Sequence, residues 1–166
     1  MNSRKIMSKK LLCLTLITLM LISALSACGI FSERDPIELQ TFLSVMEENG
    51  FEIIDYTNQT TGEVRELTSL YLIAVSPGAS YQIEFLELHT AESARAIFEG
   101  TKQNAENLRS GSGSHSSVNG PNHNSHSLTA GGLYSRLLRV DDIVVFVLGA
   151  DADYRDDIRA KFDLFS

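Results

Sequence analysis

Cysteine is scarce in this sequence, and the motifs of the common enzyme classes are missing from it. Cys13 and Cys28 are the two cysteines in 166 residues. They cannot supply the several disulfides that hold many small secreted domains together, so packing alone must hold the fold. The sequence also has no Gly-x-Ser-x-Gly, His-Glu-x-x-His, Walker or dinucleotide-binding glycine pattern. We therefore predict a protein without catalytic activity.

Basic residues are also fewer than acidic ones. The chain has 14 Lys and Arg against 21 Asp and Glu, a formal net charge of −7. An acidic protein repels the phosphates of a nucleic acid, so we expect no nucleic-acid partner. The basic residues are unevenly spread, because four of them fall within the first ten positions, where there is no acid: Arg4, Lys5, Lys9 and Lys10.

An uncharged apolar run, Leu11 to Ala27, follows this basic start. A basic segment followed by an apolar one is the layout of a signal peptide. The run is also long enough to weigh as a membrane-spanning anchor, which needs roughly 17 to 25 apolar residues. Small residues close the run and favour cleavage by a peptidase: Ser23, Ala24, Ser26 and Ala27. An uncleaved anchor and an ordinary secretory signal remain the alternatives.

The run ends on a cysteine, and the segment Leu25-Ser26-Ala27-Cys28 resembles the lipobox of bacterial lipoproteins. The resemblance implies cleavage after Ala27 and a diacylglyceryl thioether on Cys28, often with further acylation of the new amino group. Two or three acyl chains give stable anchoring where one gives only marginal binding. We therefore expect the protein on the extracytoplasmic side of the cell membrane, with the membrane as a partner through the lipid on Cys28.

This organisation divides the chain into residues 1–27 as a lipoprotein signal peptide, 28–34 as a lipidated cysteine and tether, and 35–166 as a single domain. Removal of the signal leaves ten Lys and Arg with all 21 acids, a formal charge of −11. Anionic lipid headgroups repel such a surface, which would hold the domain away from the bilayer on its tether.

Apolar periodicity predicts an α+β domain. Asp35 and Pro36 are expected to start a first helix, Asn49-Gly50 to stop it, and Thr90 to cap a second one. Ile143 to Leu148 is apolar without interruption and is expected to be a central strand. The remaining predicted elements are strands at 51–56, 67–75, 80–88, 125–130 and 133–140, and a last helix from Asp151.

These elements predict two layers, a mostly antiparallel sheet with the helices packed on one face. Their order also allows a β-β-α repeat, at 67–108 and 133–165. The arrangement resembles small uncharacterised extracytoplasmic lipoproteins of Gram-positive bacteria, a likeness that implies no activity.

Residues 109–124 are rich in Ser, Gly, Asn and His and nearly free of apolar residues, so we predict a mobile loop there. His115 and His123 lie in this segment and His126 just beyond it. Histidines outside the cytoplasm can bind Zn or Cu, but this spacing matches no zinc pattern and a Ser/Gly loop gives no rigid support. We expect three exposed histidines, weak metal candidates at best, and no cofactor.

The leading functional hypothesis is a non-catalytic binding or accessory domain tethered to the membrane, with a protein or small molecule as its partner. It follows from a lipid anchor on a small domain that lacks catalytic motifs. The alternative is a cell-surface metal-binding protein or hydrolase that uses His115, His123 and His126.

Overall fold

A computed structural model describes residues 33–78, 80–107 and 113–149. The signal peptide, Ala27, Cys28 and the helix expected from Asp151 lie outside the described residues. None of the helices in those ranges is long and apolar enough to cross a bilayer. The described elements, in chain order, are α1 Leu39–Glu48, β1 Glu52–Asp55, α2 Glu63–Leu67, β2 Thr68–Val75, β3 Tyr81–Leu88, α3 Ala91–Asn107, β4 Gly113–Asn119, β5 His123–Ala130, β6 Leu133–Val140 and β7 Ile143–Gly149.

The strands form one seven-stranded antiparallel sheet in the order β1-β2-β3-β7-β6-β5-β4. The α+β class and the hairpins β2-β3 and β6-β7 are confirmed. β7 lies fourth of seven, between β3 and β6, so the prediction of a central strand is also confirmed. The second helix of the expected repeat lies outside the described residues.

Helix α1 ends where the sequence predicts. Gly50 has a φ of 73°, the left-handed conformation that glycine adopts without steric cost. Its N–H donates to Glu47 O at 3.0 Å, and the N–H of Phe51 donates to Met46 O at 3.0 Å, which together form a Schellman motif. The expected start is wrong: Glu38, with an extended ψ of 137°, precedes the first helical residue, and Asp35 lies in the non-helical segment before it.

The two long helices cover opposite faces of the sheet, so the prediction of helices on one face is wrong. Alternate residues of a strand point to opposite faces. In β7, Val145 and Val147 pack in the cluster that contains Phe42 of α1. Val144 instead packs in the cluster that contains Phe98 of α3. The sheet is therefore the middle of three layers, which explains why β7 is apolar on both of its faces.

Residues 113–124, the described part of the segment 109–124, are not the loop that their composition predicts. β4 spans 113–119 and pairs with β5 in an uninterrupted antiparallel register, from Gly113 opposite Ala130 to Asn119 opposite Asn124. All seven side chains of β4 are exposed. An edge strand of this kind is held in the sheet by backbone pairing and needs no apolar side chain, which is why the composition of β4 does not predict it.

Candidate functional site

A cavity of about 260 Å³ lies between the C-terminal half of α3 and the sheet. Its floor comes from residues that share one face at the neighbouring ends of β5, β6 and β7. Leu133 and Leu148 belong to this lining and are 55% and 41% exposed, unusual values for large apolar side chains in a well-packed sheet. The full lining is Thr101, Asn104, Ala105, Leu128, Ala130, Leu133, Ser135, Phe146 and Leu148.

The lining is uncharged and mostly apolar. Thr101, Asn104 and Ser135 are its three polar members, and the other six present only hydrocarbon. A concave apolar surface with a few polar groups is the usual composition of a small-molecule site. The cavity can therefore hold an apolar body and offer it one or two hydrogen bonds.

A buried histidine lies beside this cavity. His126 lies two residues before Leu128, on the same face of β5. It is 2% exposed, and its Nδ1 forms a hydrogen bond with Ser117 Oγ at 2.8 Å. Its Nε2 lies 3.9 Å from Glu106 Oε1, on the turn of α3 that also supplies Ala105 to the cavity. The ring of His115 is 6.3 Å from that of His126, centroid to centroid.

Burial lowers the pKa of His126, because the charged imidazolium loses hydration in the interior. Glu106 acts in the opposite direction, whereas Lys102 and His115 add to the lowering. The pKa of His123 is also lowered, first by burial and then by the positive charges of Arg34 and Arg139. Both rings therefore favour the neutral form.

The structure corrects the expectation of three exposed loop histidines. His115 is exposed, but His123 and His126 are 1% and 2% exposed on β5. His126 is three positions after His123 on β5, an odd number, so the two side chains lie on opposite faces of the sheet. His123 packs against Gly120, where a Cβ atom would collide with its ring. Among the residues that the structure describes, no three His, Cys, Asp or Glu side chains group into a metal site.

Sequence reasoning missed a buried arginine at the other end of β6. Arg139 is 1% exposed; its Nε donates to Asn124 Oδ1 at 2.7 Å and its Nη1 to Asp141 O at 3.0 Å. Its Nη2 has no hydrogen-bond partner among the described residues. The sequence signal for this burial was the spacing of Arg139 from the apolar Leu137, which lies two residues earlier and on the same face of β6. Desolvation lowers the pKa of Arg139 from its usual range.

We expect the stability of the domain to fall as the pH drops below about 6.5, the usual pKa of an unfolded histidine. A lowered pKa in the folded state means that, below about pH 6.5, the unfolded chain binds more protons than the folded one. The contribution of these histidines to the free energy of unfolding is therefore fully present above the unfolded pKa and is lost as the pH falls below it. Urea unfolding at about pH 7.5 and pH 5.5 measures the change.

His126→Gln should reduce this pH dependence, since one buried titrating group is removed. His89→Gln, a change at an exposed histidine, is the matched control and should leave the dependence as it is in the wild type. Equal pH dependence in wild type and His126→Gln would show that His126 is not held neutral by the fold.

No protein-family model matches the sequence, and no curated protein matches it. Two solved structures are similar in backbone. A GTP binding regulator from Thermotoga maritima aligns with a TM-score of 0.49 at 13% identity, over 80% of this chain and 90% of that one. The extracellular domain of PknH from Mycobacterium tuberculosis aligns with a TM-score of 0.31 at 15% identity, over 71% of this chain and 66% of that one. Scores and identities this low carry no inference about the activity or partners of this chain.

Proposed function

We propose that this protein is an extracytoplasmic lipoprotein, anchored in the cell membrane through Cys28, whose domain binds a small apolar molecule without transforming it. The observation that carries the binding role is the apolar cavity between α3 and the sheet. The anchor would keep this cavity within the length of its tether from the membrane, where apolar molecules concentrate.

The anchor is supported by sequence. A basic start, an uncharged apolar run and small residues lead into Leu25-Ser26-Ala27-Cys28. The domain that remains after cleavage is strongly acidic, so it would be repelled from anionic headgroups and would depend on the lipid for its attachment.

The chemistry of the cavity supports a neutral, apolar ligand. A charged group placed among Leu128, Phe146 and Leu148 would lose its hydration without gaining an opposite charge. Asn104 and Ser135 lie in the lining and can each hydrogen-bond a carbonyl or hydroxyl. The ligand class is therefore a hydrocarbon or aromatic body that carries at most one or two uncharged polar groups.

The geometry around His126 supports binding over hydrolysis. A serine nucleophile needs a histidine whose second nitrogen is hydrogen-bonded to an orienting acid. Here Ser117 bonds Nδ1, but Glu106 lies 3.9 Å from Nε2, beyond hydrogen-bond distance. The geometry does not support the alternative, a metal site that uses His115, His123 and His126. His123 faces the other side of the sheet from His126, so the three rings cannot surround one metal ion.

We expect N-phenyl-1-naphthylamine, a neutral apolar dye that fluoresces in apolar surroundings, to bind the domain at one site. Ala105→Phe places a large side chain in the cavity and should weaken binding at least about tenfold, which corresponds to ~1.4 kcal/mol. A fluorescence titration measures the affinity.

Gln103→Phe is the matched control, because it adds the same side chain to an exposed position of the same helix. Its affinity should equal that of the wild type. If Ala105→Phe and wild type bind the dye equally well, the dye lies elsewhere and the cavity is not the binding site.

A further inference from the structure

Strand β4 is an edge of the described sheet and lacks the features that normally protect an edge. It is seven residues long, and its seven side chains are all exposed. Its sequence, Gly-Ser-His-Ser-Ser-Val-Asn, has no charge and no proline. Its register with β5 has no bulge to twist it away from a partner. Native edges are usually shortened, charged or bulged, because an open edge is a template for another strand.

The other edge of the sheet is protected in the usual ways. β1 has only four residues, and the two at its ends are the exposed acids Glu52 and Asp55. Two copies of this acidic chain would repel one another at β1, whereas the uncharged β4 imposes no such penalty. The two edges of one sheet therefore differ sharply in their capacity to accept a second strand.

The hairpin turn shows which backbone groups of β4 point outward. The N–H of Gly120 donates to His123 O at 2.8 Å, which marks this pair as hydrogen-bonded. Bonded pairs alternate along an antiparallel ladder, so Ser116 and Val118 bond to β5. The backbone groups of Ser117 and Asn119 then point away from β5, toward the open side.

We propose that β4 pairs antiparallel with β4 of a second copy of this chain, about a two-fold axis at Ser116, and joins the two sheets into one. In this register Gly113 lies opposite Asn119 of the other copy, so outward backbone groups meet outward backbone groups along the whole strand. A strand paired with itself in this way is self-complementary, as a symmetric dimer requires.

The full chain with Ser116→Cys tests the pairing, expressed in a bacterium that processes lipoproteins. Two Ser116 residues on the axis would be a non-hydrogen-bonded pair with Cα atoms about 4.5 Å apart, within the ~4.4–6.8 Å that a disulfide spans. We expect most of the chain to form a disulfide-linked dimer under mild oxidation, seen on a non-reducing gel. Gln103→Cys, on the exposed face of α3, and the wild type should stay unlinked.

Register and partner are tested by a second set of variants. Chains with Ser114→Cys and chains with Val118→Cys should link to each other when mixed, and far less to themselves. Ser116→Lys and Ser116→Glu should each be monomeric by light scattering, and their mixture dimeric. The proposal is overturned if Ser116→Cys links no more than Gln103→Cys, or links to a different protein, or if wild type and Ser116→Lys have the same mass in solution.

Discussion

Phe85→Ala is expected to lower the free energy of unfolding by about 3–5 kcal/mol, the usual cost of truncating a buried phenylalanine. Phe85 is fully buried and lies on β3, next to the central strand. Its ring is 4.8 Å from that of Phe42, centroid to centroid, so it joins the sheet to α1. A loss of this size approaches the total stability of many domains.

Urea unfolding monitored by circular dichroism measures the loss, because the midpoint and slope together give the free energy. Leu133→Ala is the control: its side chain is 55% exposed, so its truncation should change stability by no more than about 0.5 kcal/mol. If Phe85→Ala unfolds within about 1 kcal/mol of the wild type, the α1 face of the sheet is not the main core.

Cys28→Ser is expected to abolish lipid anchoring completely. A serine hydroxyl cannot form the thioether that holds the diacylglyceryl group, so labelled palmitate should no longer enter the protein. Domain stability should not change, because the residue precedes the domain. Cell fractionation with palmitate labelling measures the first effect, and urea unfolding the second.

Cys13→Ser is the matched control for this change. Cys13 lies within the apolar run of the predicted signal peptide, so its loss should leave labelling and membrane attachment intact. Palmitate labelling that survives in Cys28→Ser, or disappears in Cys13→Ser, would contradict anchoring at Cys28.

The sequence predicted those elements whose side chains must be apolar or whose backbone needs a special residue. The pairs β2-β3 and β6-β7 carry apolar residues that reach the core, and β7 is apolar on both faces. The end of α1 requires the positive φ of Gly50. In each case a local pattern has one dominant structural explanation.

The errors came from features that leave no local pattern. β4 is paired with β5 through its backbone and has no buried side chain, so its serines and histidine look like those of a loop. The apolar stripes of α1 and α3 show that each helix packs on something, but a stripe does not say which face of the sheet it covers. The burial of His126 depends on α3, which is distant in sequence.

The cavity could not be predicted for a related reason. Its lining comes from α3, β5, β6 and β7, and each lining residue fits an ordinary core position when its own segment is considered alone. Leu133 and Leu148 reveal the cavity only through their exposure, which depends on the packing of the whole α3 face. The predicted lipobox is the opposite case, because a lipobox is recognised from consecutive residues alone.

The proposed binding role is tested most directly by nuclear magnetic resonance of the domain during titration with N-phenyl-1-naphthylamine. Binding in the cavity predicts saturable shifts concentrated at Ala105, Leu128 and Leu148, which lie in different elements and meet only there. Saturable shifts confined to α1 and β1, or no saturable shifts at all, would contradict the role of this cavity as the binding site.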